Sequence, residues 1–457
     1  MIPECYNKTV LTFNNAIDTT LSRKRVLYLA WPIILSNISA PLLGLVDTAV
    51  IGNLNNPALI GAIAIGAMIF SFIYWGFGFL RMGTTGLIAQ SRGAEDNDGA
   101  KAAFYRALII AVSIGSILLL LQNVLAGFAF SVIQGSPAVE EAAVTYFNIR
   151  IWSAPLSLIH LVLMGYLLAH QKSTTILWIQ LLLNGTNIVL DFVFVAGFGW
   201  GVAGIAAATV IAEIITTCVG VYIVFRHMRC SYMTIAVPMS ILKDIQAVLK
   251  TLRINRDIMI RTLSLIFAFA WFTNEGAKSG DIMLATNAIL MQFVAFSAFF
   301  LDGYALAAES LVGTAVGAKN RSGLDRTLRY INELGLVTAI ILSAIFFLAG
   351  PAMIDLLTNV DEVRNTTRTY LLWVVAAPVI SLWCYLLDGV FIGATCTREM
   401  RNAMVFSLMA YLAAWYLLAP VFLNHGLWLS LHVYFVVRAL TLWYYLPNVR
   451  ALLGPKA

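Results

Sequence analysis

The chain has 457 residues, of which 60% are hydrophobic and 11% charged, with a formal net charge of +6. Soluble chains run at about 45–50% apolar and about 25% charged, so an ordinary soluble enzyme is excluded, and so is a disordered chain, which needs high charge and low hydrophobicity. The mean hydropathy of +0.84 and the long continuous apolar runs, in place of the alternating segments of a membrane β-barrel, point to a polytopic α-helical membrane protein.

In chain order, residues 1–22 are polar and lack the charged start and apolar core of a signal peptide, which predicts a short, poorly ordered cytoplasmic tail. The Asn7-Lys8-Thr9 triplet has the form of a glycosylation acceptor but carries no weight on such a tail. Crossing a hydrocarbon core takes about 20 helical residues. Twelve apolar runs meet that need, at 26–52, 57–82, 102–128, 139–168, 174–196, 202–226, 255–276, 282–312, 325–349, 363–393, 401–421 and 427–448. Helix breakers separate several of them, among them Asn55-Asn56-Pro57, Ser136-Pro137, Gly350-Pro351 and the segment from Asn424 to Gly426.

The connections after the even-numbered spans hold Arg92, Lys101, Lys172, Arg229, Lys243, Lys250, Arg253, Lys319, Arg321, Arg398 and Arg401. The other side holds little more than Lys278, with Arg364 and Arg368 as exceptions at the start of the tenth span. Basic residues collect in cytoplasmic loops, so both termini are expected in the cytoplasm. The same bias accounts for the positive charge without nucleic acid. The expected organisation is a tail at 1–22, an N-lobe at 23–226, a cytoplasmic linker at 227–254, a C-lobe at 255–450 and a second tail at 451–457.

A shift of about 224 residues lays Gly86–Ala94 over Ser310–Ala318, Gly165 over Gly389, Pro155 near Pro378 and Gly204 near Gly426. The second half therefore repeats the first. Six spans per half is an even number, so both halves enter the membrane from the same side, and the repeat is parallel, about an axis along the membrane normal. The expected fold class is an all-α membrane protein with twelve transmembrane helices in two six-helix lobes, and a substrate site between or within the lobes.

A charge at mid-bilayer costs about 2.5–3.5 kcal/mol on insertion scales, so it faces the protein interior or water. The first span carries Pro32, Pro41 and Asp47. Proline removes a backbone donor and clashes with the preceding turn, favouring a bend. Burial penalises the charged form of a carboxyl, so Asp47 on a bendable helix is a candidate proton carrier; the alternative is a fixed structural carboxylate. Asn184, Asn187 and Asp191, spaced by three and then four, share one helical face. They mark a proton or cation site, or polar glue between helices. Thr209 and Glu213 stand one turn apart in the sixth span, and Arg150 in the fourth is placed to pair with Asp47 or Asp191. A paired carboxylate is a poor proton carrier.

In the second half, Arg261, Glu275, Asp302, Glu309 and Asp388 read as a structural network, and Arg81 is placed to meet Asp302 as a cytoplasmic gate. Aromatic and methionine residues such as Tyr146, Trp152, Met291, Phe293 and Trp383 are mostly core or lipid-facing, with some able to line a cavity for flat cations. The five cysteines show no metal or redox spacing, the five histidines are too scattered for a metal site, and no P-loop, GxSxG or HExxH occurs. No cofactor is expected.

The segment Pro41-Leu-Leu-Gly-Leu-Val-Asp47-Thr-Ala-Val-Ile-Gly52 resembles the first-span signature of multidrug and toxic compound extrusion (MATE) transporters. So do Arg81-Met-Gly-Thr-Thr-Gly-Leu-Ile-Ala-Gln90, Asn187-Ile-Val-Leu-Asp191 and Gly201-Val-Ala-Gly-Ile-Ala-Ala-Ala-Thr209. The run from Tyr385 to Ala394, with Glu399-Met-Arg-Asn402, is similar to the DinF-like subfamily. The resemblance spans roughly 23–450 and implies export of organic cations against inward protons or sodium across a bacterial inner membrane. It implies coupling acids at Asp47 and Asp191, with Tyr146, Asn187 and Thr209 nearby, and bending of the first helix at Pro32. The sodium-driven branch carries an acid midway along the seventh helix, whereas Ser264–Trp271 here holds none. The expectation is a monomeric proton-coupled antiporter whose partners are small organic cations, H+ or Na+, and the lipid bilayer. Sodium coupling and a flippase for a lipid-linked precursor are the alternatives. A major-facilitator transporter lacks support, because the second connection has no basic GxxxDRxGRR-like run, and no catalytic constellation supports an enzyme.

Overall fold

The computed structural model of the chain describes residues 21–52, 57–132 and 136–454; the side chains at 40, 42, 43, 45–52, 57, 58 and 132 lie outside the described set, as does the expected tail over residues 1–20. Among the described residues every regular element is a helix. The first span is α1 (Arg23–Gly52), continuous through Pro32 and Pro41. The second is α2 (Pro57–Gly76) and α3 (Phe79–Gly93), and the third is α4 (Asn97–Leu120) and α5 (Gln122–Val132). The fourth is α6 (Pro137–Arg150) and α7 (Ala154–Ala169), joined by one 3-10 turn, Ile151–Ser153. The fifth, α8 (Ser173–Asp191), widens into a π-helical turn at Phe192–Gly197 directly after its acidic residue, and the sixth is α9 (Gly201–Tyr232).

After the short α10 (Met239–Leu242), the helices α11 (Ile245–Lys278), α12 (Asp281–Gly317), α13 (Arg321–Leu357) and α14 (Asp361–Gly393) carry spans seven to ten. The long α15 (Thr397–Ala451) carries the last two, broken at Leu423, whose φ of 51° is not helical. Asn424 fills the break: it exchanges amide hydrogen bonds of 2.8 and 3.1 Å with Asn287 of α12, whose Oδ1 also accepts from Trp428 Nε1 at 2.9 Å. These buried polar groups are thereby satisfied, as burial away from water requires. Nine stretches among the described residues are long and apolar enough to cross a membrane, with α15 counted once.

The repeat recurs in local geometry. Asp96 caps α4 by accepting from Gly99 N at 2.8 Å, and Asn320, at the equivalent position, caps α13 by accepting from Gly323 N at 2.8 Å. The residues before them, Glu95 and Lys319, share a positive φ of 58° and 53°, and Gln171 and Thr395 form a second equivalent pair at 56° and 54°.

Two compact units emerge from the packing: one of residues 35–88 and 96–251, the other of the described residues up to 34 with 89–95 and 252–454. In the first, Lys101 Nζ donates to Ala236 O and Tyr105 Oη to Ile235 O, each at 2.9 Å, so the segment after α9 is strapped to α4. In this unit Gly165 lies against the Arg81 carbonyl, and in the other its repeat equivalent Gly389 lies against the Ala305 carbonyl. Within the second unit the last turn of α3 crosses α12. There Gly93 abuts Thr314 O and Gly317 abuts Gln90 O, so the two contacts are each other's images under the repeat. The Gln90 amide adds hydrogen bonds of 3.1 Å to Gly393 O and Thr395 Oγ1.

A Cβ at Gly317 would overlap the facing carbonyl, and backbone cannot swing aside as a side chain can. Gly317→Val is therefore expected to cost about 1–3 kcal/mol through overpacking, read as a lower midpoint of thermal unfolding of the purified protein in detergent. An unchanged midpoint would show that the crossing is looser than described.

Candidate functional site

The first unit concentrates its in-span polar groups on α8. Asn184, Asn187 and Asp191 are all buried, Asp191 completely. Asn184 Nδ2 donates to both the carbonyl and the hydroxyl oxygen of Ser39 at 3.0 Å, and its Oδ1 accepts from Gln180 Nε2 at 3.0 Å. This polar clasp grips α1 between its two prolines, where Ser39 Oγ also donates to Ser36 O at 2.7 Å. The Asn187 amide is satisfied when its nitrogen donates to Asp191 Oδ2 at 3.1 Å and its oxygen faces Thr209 at 3.2 Å. One helical stripe thus reaches α1 through Asn184 and α9 through Asn187, with the carboxyl group of Asp191 at its end beside Asn187. Asp47 is carried on α1, but its side chain lies outside the described residues. Pro32 is buried and Pro41 exposed on the same helix.

A second cluster surrounds Arg150, the last residue of α6. Its Nη2 lies 3.6 Å from Glu213 Oε1 on α9, and its Nη1 donates to Tyr146 Oη at 3.3 Å. The guanidinium sits 5.2 Å from the ring centre of Phe70 and 5.9 Å from that of Tyr146, within the range of cation–π attraction. Glu213 also accepts from Ser157 Oγ at 2.5 Å. The sequence offered Asp47 or Asp191 as the partner of Arg150; among the described residues its ion pair is instead with Glu213, which α9 brings alongside the end of α6.

The second unit places Asp388 of α14 between two arginines. Both Arg261 of α11 and Arg438 of α15 donate to Asp388 Oδ2, and all three residues are buried. Asp388 Oδ1 and Arg438 Nε are buried with no hydrogen-bond partner among the described residues. Asp302 of α12 is close enough to Cys384 and Tyr385 to act on both electrostatically, as Arg438 is. Glu309 is buried about two turns further along α12, where its carbonyl meets Gly393. Of the expected network the described contacts join Arg261 to Asp388, and the second partner is Arg438, a residue passed over in the sequence although it is the one charge in the apolar run Phe435-Val-Val-Arg438-Ala-Leu-Thr-Leu442. Ser157, by contrast, left no sequence signal. Arg81 contributes its carbonyl to the Gly165 contact and to Thr85 Oγ1 at 2.9 Å.

A family model described as MatE matches residues 32–193 and 258–417. The chain belongs to the MATE transporter family. It is 40% identical over 448 residues to DNA damage-inducible protein F of Escherichia coli (strain K12), covering 96% of this chain and 95% of that protein, which places it among the DinF-like MATE proteins. Its fold matches a structure of a MOP superfamily transporter from Pyrococcus furiosus Vc1, described as having a binding pocket of reversed polarity, with a TM-score of 0.87 and 19% identity over 96% of this chain and 99% of the other. A MATE structure in a bent conformation matches with a TM-score of 0.84 and 21% identity over 94% and 96%. As a MATE protein the chain is a multi-pass membrane transporter, not an enzyme.

Removing Asp388 strands two buried cations. Asp388→Ala is expected to destabilise the MATE fold by about 3–5 kcal/mol, while the apolar triple replacement Arg261→Met, Asp388→Leu, Arg438→Met recovers most of that loss in thermal unfolding. A single variant as stable as the parent would show that the cluster is not holding these three helices. Asn184→Ala leaves Ser39 without its clasp and is expected to cost about 1 kcal/mol, with faster amide hydrogen exchange confined to the middle of α1 as the readout.

Proposed function

We propose that this MATE protein is a proton-coupled antiporter that exports organic cations by alternating access, with Asp47 and Asp191 as its coupling acids. The observation that carries the reading is the α8 stripe. A buried carboxyl sits on a helix that also grips α1 between two prolines, so a change of protonation at Asp191 has a short polar route to a bendable element. Arg150 is engaged with Glu213, Tyr146 and Phe70, which supports Asp191 as an acid able to gain and lose a proton. Pro32 and Pro41 supply the weakness at which α1 bends.

In this scheme outside protons reach the acids when the first-half cavity opens outward. Neutralisation removes their attraction for a cationic cargo, α1 bends and the cargo leaves. The two six-helix halves, 23–226 and 255–450 joined by 227–254, then rock, and the proton leaves inside. Both termini lie in the cytoplasm of a bacterium by the loop-charge rule. One proton exchanged for one monovalent cation is driven by the pH gradient alone, about 1.4 kcal/mol per pH unit. A second proton adds about 2.3 kcal/mol per 100 mV.

Sodium coupling through the second half finds little support, because the carboxylate of Asp388 is already shared by two guanidiniums. The same two arginines are the one feature that favours the flippase reading, which calls for a basic cavity, and the neighbouring acids offset them.

Reconstituted vesicles with a fluorescent organic cation separate these readings. An imposed pH gradient is expected to drive cation movement and a sodium gradient is not. Asp47→Asn and Asp191→Asn are each expected to reduce pH-driven movement to the level of empty vesicles while leaving the unfolding midpoint in place. Normal pH-driven movement by both variants would refute the coupling scheme, and sodium-driven movement would reassign the ion.

A further inference from the structure

On the second unit, away from the buried charges, a groove of about 710 Å³ opens between α13, α14 and α15. Its two ends differ in chemistry. One end is apolar, walled by Leu336, Leu387 and the exposed Trp383 and Trp443. The other end is basic, with Arg321, Arg329 and Arg450 on the rim beside Asp325 and Glu333.

The charges at the rim do not cancel. Arg450 Nη2 lies 3.2 Å from Asp325 Oδ1, and Arg329 Nε lies 2.8 Å from Glu333 Oε1. Glu333 is also held by Arg23 from the start of α1, at 2.7 Å. Arg321 has no carboxylate within ion-pair distance among the described residues. Four guanidiniums therefore stand against two carboxylates, a surplus of two charges, and Arg321 is the one that meets neither carboxylate. The charged turns of α13 give way to an apolar run from Leu334 onward, so the basic end sits where headgroups begin and the tryptophans sit just inside, at the depth where indole rings favour the boundary between water and hydrocarbon.

We infer that this groove is a binding site for an anionic phospholipid, whose phosphate is held by Arg321 with Arg450 and Arg329 and whose acyl chain lies along Leu336, Leu387 and Trp443. Guanidinium is suited to the task, because its forked N–H groups match phosphate oxygens in pairs and it is more weakly hydrated than an ammonium. Basic pockets between transmembrane helices favour anionic headgroups for the same electrostatic reason. A zwitterionic lipid brings a cation next to its phosphate and gains little from the surplus guanidinium. A soluble phosphate ester gains nothing from the apolar wall. The site does not depend on the coupling acids or on the orientation of the chain, since it is defined by the groove's own chemistry.

The test uses the full chain in nanodiscs with lipids brominated on their acyl chains, which quench nearby tryptophan fluorescence. The part of the signal owed to Trp443 is taken as the difference from Trp443→Phe. Brominated phosphatidylglycerol is expected to quench that part severalfold more effectively than brominated phosphatidylcholine at equal mole fraction. The preference should shrink as salt is raised. Arg321→Gln with Arg450→Gln should bring the two lipids level, and Arg321→Lys with Arg450→Lys should keep a reduced preference, which guards against mere misfolding of the first variant. Equal quenching by both lipids in the parent protein, or a preference that survives Arg321→Gln with Arg450→Gln, would overturn the site. Full reversal of quenching by soluble glycerol phosphate would assign it to a free phosphate ester and overturn the lipid.

Discussion

The constraint on which the rest depends is the cost of taking a charge out of water. In this chain charge is scarce, and almost all of it is placed where a partner or an interface removes that cost. The surplus arginines collect at the helix ends. Charges carried into the spans are gathered into ion-paired sets: Arg150 with Glu213 in one unit, and Arg261 and Arg438 about Asp388 in the other, which keeps one positive charge. Asp191 differs in kind. The Asn187 amide faces its Oδ2, and under the proposed scheme it is the carboxyl that exchanges a proton.

The two halves use the same scaffold for different ends. Their caps, their left-handed residues and their close glycine contacts recur at equivalent positions, so backbone geometry has been held while the side chains filling it have diverged. The first half carries an amide-and-acid stripe on its fifth span; the second carries a charge clamp that ties α11, α14 and α15 together. Under the proposed scheme the first half responds to protonation while the second stays rigid.

Much of this was legible in the sequence. The spans were readable because a membrane demands unbroken apolar stretches, and the repeat because glycines and prolines recur at one offset. The α8 stripe was readable because helical periodicity sets which residues share a face. What could not be read was which group each buried charge meets across helices. On paper Arg150 meets Asp47 or Asp191, and only tertiary packing brings it to Glu213 instead. Arg438 was overlooked because its neighbours form an ordinary apolar run, although a lone arginine there has to find an acid. Ser157 and Ser39 act through hydroxyls that are common in any span and gain meaning only from what faces them. The break at Leu423 was marked by the polar Asn424–Gly426 segment, but the Asn287 amide that fills it was not.

The reciprocal contact of Gly93 with Thr314 and Gly317 with Gln90 carries one more consequence. A patch that fits its own rotated copy is the kind of surface two identical subunits would share. Because each glycine now faces a residue encoded separately, either side is free to drift only as far as the other side's backbone allows.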